Sequence, residues 1–83
     1  MTTEVIDDIR VGVIHGPAGK IEPVWFDLNR QQHRIRQITN CWRERQGTDL
    51  YLHFHVVDSG ALYELIYCPA KECWRLVLIE ILT

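Results

Sequence analysis

Apolar and polar residues alternate along this chain in blocks of about seven, and the blocks are separated by glycine, proline, asparagine or aspartate, residues that turn a backbone. No helix-period stripe of useful length interrupts the pattern, so short strands are expected throughout. The first segment runs from Ile9 to Ile14 and ends at His15-Gly16-Pro17-Ala18-Gly19. The second runs from Ile21 to Leu28. Asn29-Arg30 then forms a two-residue turn, since Asn tolerates the positive φ such turns require, and leads into a long third segment from Gln31 to Glu44. Within it Ile35 and Ile38 share a face only if one extra residue is inserted near Arg36-Gln37, as in a β-bulge. Gln46-Gly47 turns into Leu50 to Val57, and Asp58-Ser59-Gly60 makes a three-residue loop with Gly in the left-handed position. Ala61 to Cys68 and Cys73 to Leu82, joined by Pro69-Ala70-Lys71-Glu72, complete the set. The expected fold is all-β: an antiparallel meander of about six short strands, as a curled sheet or a small open barrel.

Neighbouring strand positions point to opposite faces, so turn lengths decide which side chains meet. Pairing Leu28 with Gln31 sets Phe26 against His33 and Val24 against Ile35, while pairing Arg45 with Thr48 sets Trp42 against Tyr51 and Ile38 against His55. Pairing Val57 with Ala61 sets His55 against Tyr63 and His53 against Leu65; pairing Cys68 with Cys73 sets Tyr67 against Trp74 and Leu65 against Leu76. One face then gathers Val24, Phe26, Ile35, Ile38, Trp42, Tyr51, Tyr63, Leu65, Tyr67, Trp74, Leu76 and Leu78, and is aromatic. The other gathers Leu50, Leu52, Phe54, Val56, Leu62, Ile66, Val77, Ile79 and Ile81, and is aliphatic, with Glu64 and Arg75 near enough to pair.

An antiparallel sheet with one wet face is polar there, whereas this pattern is apolar on both. Closure of the sheet covers one face, and the first strand or a second copy of the chain must cover the other. Leaving several hundred Å² of apolar surface in water forgoes several kcal/mol at ~25 cal/mol per Å². The pattern therefore predicts a homodimer.

Composition adds bounds. The 83 residues, 47% hydrophobic and 24% charged, suit one globular domain spanning 1–83 and are too few for two cores. Residues 1–8 are polar enough to fray, with Val5 and Ile6 able to dock. Neither a leader pattern nor a long apolar stretch is present, and three cysteines cannot all pair, so free thiols in the cytoplasm, away from any membrane, are expected. The net charge of −2 is unevenly spread: residues 30–45 hold five arginines against one glutamate, which leaves −6 for the rest.

Three groups of residues carry candidate chemistry. His53 and His55 lie two apart on one strand face, about 7 Å from each other, and are the candidate metal ligands. A third ligand is missing: under the register above Cys41, Cys68 and Cys73 fall on the opposite face, and the imidazoles are expected to hydrogen-bond at the rim of the aromatic core. Cys68 and Cys73 are direct cross-strand neighbours, as buried free thiols or as a labile disulfide. Arg34 should oppose Trp25. Together with Arg36, Arg43 and Arg45 these residues form a surface that either stacks bases and neutralises phosphates of a single-stranded nucleic acid or merely shields an indole. No phosphate loop, nucleophile elbow or cofactor motif appears.

The pattern Pro23-x-x-Phe26, His33-x-Ile35, Trp42-Arg43, Tyr63-Glu64-Leu65 and Cys73-Trp74-Arg75-Leu76 resembles a family of small uncharacterised bacterial domains over about residues 20–80. The resemblance implies an all-β fold without assigned activity or catalytic residues. Some relatives are appended to proteins similar to DNA-damage polymerases, which hints at nucleic-acid work. Taken together, the sequence predicts a non-enzymatic interaction module without cofactor that self-associates or binds another protein through an apolar sheet face. The alternative is a single-strand nucleic-acid binder built on Trp25, Arg34, Arg36, Arg43 and Arg45.

Overall fold

The computed structural model describes residues 5–82. Eight strands follow in chain order: β1 (Val5–Asp7), β2 (Val11–His15), β3 (Ile21–Leu28), β4 (Gln31–Arg34), β5 (Gln37–Gln46), β6 (Asp49–Val57), β7 (Ala61–Cys68) and β8 (Cys73–Ile81). All pairings are antiparallel and the fold is all-β, as expected. The strands form two open sheets, β1-β8-β7-β6-β5 and β2-β3-β4, so the chain does not close into a barrel. Among the described residues no helix is long and apolar enough to cross a membrane. The expected fraying of residues 1–8 divides accordingly: residues 1–4 lie outside the described residues, while Val5, Ile6 and Asp7 pair with Val77, Leu76 and Arg75.

The long third segment of the sequence pattern is two strands in different sheets. Consecutive residues divide their backbone bonds between the sheets: Ile35 N–H donates to Val24 O in the small sheet at 3.0 Å, and Arg36 N–H donates to Val57 O in the large one at 2.8 Å. Ile35 and Ile38 do both pack on the core, as the pattern required, but the change of sheet achieves this. The irregularity of β5 lies instead between Ile38 and Asn40, which leaves Thr39 outside the ladder.

Two hairpins keep the expected register. Asn29 and Arg30 take φ of 52° and 63°, the geometry of a tight two-residue turn, and set Phe26 against His33 and Trp25 against Arg34. Cys68 pairs Cys73, Tyr67 pairs Trp74 and Leu65 pairs Leu76. A third hairpin is shifted by two, with Gln46 opposite Asp49 around Gly47, which has φ 62°. Trp42 therefore faces His53 rather than Tyr51, and Asn40 rather than Ile38 faces His55.

The β6–β7 hairpin is shifted by one, and that shift has the larger consequence because it exchanges faces. Val57 pairs Leu62 rather than Ala61. The cause is Asp58: its Oδ1 accepts the N–H groups of Gly60 and Ala61, both at 2.8 Å, and its own N–H donates to Ala61 O at 3.2 Å, so the turn takes in a fourth residue. Gly60 does not adopt positive φ, contrary to expectation.

As a result the two faces of the large sheet are sorted differently from the sequence expectation. Leu52, Phe54 and Val56, expected on the aliphatic face, join Tyr63, Leu65 and Leu76 on the side covered by the small sheet. Trp42 and Tyr51 move to the outer side, so Trp42 and Trp74 lie on opposite faces. The cover for the core face is the small sheet, which contributes the fully buried Phe26. Phe26 meets Tyr63 edge-on at 4.9 Å, and burial of each such large side chain contributes roughly 1.5–3 kcal/mol.

Candidate functional site

Two imidazole–carboxylate clusters stand out, one at the junction of the sheets and one on the outer face of the large sheet. The first is assembled from three elements. His33 is delivered by β4, which the Asn29-Arg30 turn folds back so that its ring stacks on Phe26 at 5.2 Å and 8°. Asp58 comes from the turn after β6 and Tyr63 from β7. His33 Nδ1 lies 2.8 Å from Asp58 Oδ2. Burial by itself pushes the Asp58 carboxyl up, but the Gly60 N–H, the His33 ring and the Ala61 N–H outweigh it and hold the group below its usual value. Burial, with the charge of Asp58 nearby, pushes the Tyr63 phenol up. The arrangement thus fixes an anion and leaves a phenol and an imidazole beside it.

This cluster forms one wall of a cleft of about 680 Å³ whose other walls are apolar, among them Ile6, Leu28, Leu76 and Leu78. A volume of that size falls in the ordinary range for small-molecule sites. The sequence pattern set His33 opposite Phe26 and used it in the resemblance, and marked Asp58 only as a turn residue. Asp58-Ser59-Gly60 does carry the signal of an aspartate that bonds its own backbone two residues on, but nothing local ties it to a histidine 25 positions away.

The second cluster contains the two histidines singled out as metal ligands. They lie on one strand face, as expected, yet they face Ile66 and Glu64 rather than Leu65 and Tyr63. They are therefore not at the rim of the aromatic core. Glu64 sits between them: Oε2 is 3.0 Å from His53 Nδ1 and Oε1 is 2.9 Å from His55 Nε2. Trp42 stacks on His53 at 4.9 Å and 10° and presents an edge geometry to His55 at 4.9 Å and 85°. Glu44 Oε2 is 3.2 Å from His53 Nε2 without forming a hydrogen bond, so that nitrogen is buried without a hydrogen-bond partner. Glu64 and Arg75 are diagonal neighbours on this face, as expected, but Arg75 bonds Asp7 at 2.7 Å. Among the described residues no group of three or more His, Cys, Asp or Glu side chains is placed to hold a metal ion. Cys68 and Cys73 fall by alternation on this same outer face, not opposite it, and all three cysteines are free, with Cys68 buried and Cys41 exposed.

The arginine surface is divided. Arg34 opposes Trp25 as expected, but the guanidinium lying over that indole, at 5.8 Å, belongs to Arg10, which also pairs with Asp27 at 3.5 Å. The indole rests on Gly12, where a Cβ would fall 2.0 Å from its Nε1. Arg34 and Arg36 line a common cleft, whereas Arg43 and Arg45 lie on β5 beside Leu52 and Leu50. The change of sheet at Ile35-Arg36 falls between Arg34 and Arg36, and Arg43 and Arg45 lie further along β5. Comparison of the chain with models of protein families, with curated proteins and with solved structures found no match, so the resemblance to small bacterial domains brings no family assignment with it.

Proposed function

We propose that this protein is an interaction module that pairs with a second copy of itself through the far end of β8. The observation that carries the reading is a group of large apolar side chains left in water there: Val5 is 52% exposed, Ile79 43%, Ile81 65% and Leu82 44%. Among the described residues the backbone beside them is also unpaired on one side. β1 covers β8 only from Arg75 to Val77, so among the described residues the stretch from Leu78 to Ile81 has no strand on that side. Natural sheets protect such edges with charge or proline, and this stretch carries Glu80 alone.

Two copies related by a twofold axis, β8 against β8, would satisfy the open backbone groups and return these side chains from water. Each half-exposed aliphatic group so covered contributes roughly 1 kcal/mol before the cost of association, which suits a dimer of moderate affinity. Sedimentation equilibrium should show a dimer at high micromolar concentration, and Ile79→Asp should return it to monomer with unchanged far-ultraviolet circular dichroism. A strict monomer for the unaltered chain under the same conditions refutes the proposal.

A further inference from the structure

The cleft beside His33 is not isolated. A second cleft of about 530 Å³ shares His33, Asp58 and Ser59 with it and is lined on the far side by Gln31, Gln32, Arg34 and Arg36. The two differ in the residues that line them: the first includes Leu28, Leu76 and Leu78, the second Gln31, Gln32, Arg34 and Arg36. One carboxylate, Asp58, stands at the boundary, and its oxygens are already engaged by His33, Gly60 N–H and Ala61 N–H. The arginine ion pairs among the described residues are Arg10 with Asp27 and Arg75 with Asp7, so neither Arg34 nor Arg36 is ion-paired there, although Asp58 lines the same cleft. Their positive charge is left for something from solution.

We propose that the two clefts together bind a small amphipathic anion, its apolar chain against Leu28, Leu76 and Leu78 and its carboxylate or phosphate head held by Arg34 and Arg36. Charge selects the head and apolar area selects the body. The Gln31 and Gln32 amides add donors around the head, and His33 divides the two environments. A neutral apolar molecule would leave the guanidiniums unused; a bare anion would leave the leucine walls in water. A nucleic-acid strand is the less suitable occupant. Trp25 is opposite Arg34 but taken by Arg10 and Gly12, and Arg43 and Arg45 lie on another strand, so among the described residues no Trp, Tyr or Phe lines the cleft with the two arginines.

The test is calorimetric titration of the full chain with octanoate, octyl phosphate, octanol and a short oligothymidylate. Octanoate or octyl phosphate should bind at one per chain, and whichever binds more tightly identifies the head group. Octanol should bind at least about tenfold more weakly, the usual worth of a charge-assisted contact. Arg36→Gln, a change at an exposed side chain, should weaken the anionic ligand about tenfold and bring it near octanol. Methyl resonances of the unaltered protein supply a reading independent of any variant: those of Leu28, Leu76 and Leu78 should shift on binding. Val5 and Ile81 line the first cleft and also belong to the self-association surface, so the titration is repeated on Ile79→Asp, which should bind at least as tightly as the parent because its cleft is uncovered. Equal binding of octanol and octanoate, binding of the oligonucleotide alone, or methyl shifts confined to Ile79 and Leu82 would each overturn the proposal, as would absence of binding by both anions.

Discussion

The same chemical pair, an imidazole beside a carboxylate, occurs twice in this molecule in unlike settings. At the junction of the sheets Asp58 is 7% exposed and is held by two backbone N–H groups as well as by His33, so its charge is part of the turn that sets the β6–β7 register. On the outer face the Glu64 side chain keeps 20% of its surface in water, and both its partners are side chains. A buried carboxylate with fixed backbone donors cannot be removed without leaving those donors unpaired, whereas a partly exposed carboxylate bonded only to side chains leaves rings behind it, of which His53 is itself buried and His55 partly exposed. Similar distances therefore carry different energies, because the cost is set by what remains when the carboxylate is gone.

The largest expected effect follows from that difference. Asp58→Ala strips the acceptor from Gly60, Ala61 and His33 together and should cost about 2–4 kcal/mol in urea unfolding, near the upper end for a single substitution. Asp58→Asn keeps one oxygen for the backbone donors and should cost less. The pair also predicts a pH dependence. Because the folded-state value of Asp58 is lowered, its contribution is present above the unfolded-state value of about 3.9 and is lost as pH falls through the folded value. Unfolding midpoints measured between pH 5 and 2 should thus fall more steeply for the parent than for Asp58→Asn. Parallel curves would show that the charge of Asp58 does not contribute.

These residues also explain what was legible in the sequence. Where a short turn is closed by backbone alone, as at Asn29-Arg30, its length dictated the register, and Phe26 was correctly set against His33. The β6–β7 turn is closed by a side chain, and the oxygen of Asp58 extended it by one residue. Alternation then carried that single step along the whole strand, moved Phe54 and Val56 into the core, and brought Glu64 rather than Leu65 onto the face of the histidines. The change of sheet at Ile35-Arg36 was illegible for another reason. A strand that leaves one sheet for another keeps its apolar spacing, so the pattern of residues 31–44 reads the same whether the chain kinks or crosses. The pairing of His33 with Asp58 depended on both of these features and could not be reached from either segment alone.

An intermediate effect sharpens the comparison. His33→Ala removes one of the three donors to Asp58 and the ring stacked on Phe26, while leaving the turn closed, so a loss of about 1–2 kcal/mol is expected. A double-mutant cycle of His33→Ala with Asp58→Asn should give a coupling of about 1 kcal/mol, and a coupling near zero would mean that the turn alone accounts for Asp58.

The smallest effect belongs to the outer face. Glu64→Gln keeps the length and one oxygen of the side chain, and its amide still meets an imidazole that can present either a lone pair or an N–H. The charge is lost, but at a site where water reaches the carboxylate and where Glu44 lies 3.2 Å from the same His53 ring. The expected cost is below about 1 kcal/mol, and Trp42, which stacks on His53 through the ring face rather than through its nitrogens, should keep its emission maximum. A loss above about 2 kcal/mol would make the two clusters energetically alike. It would also show that the buried, unpartnered Nε2 of His53 depends on the Glu64 charge for its place in the fold, and exposure would then be a poor guide to which carboxylate this protein can spare.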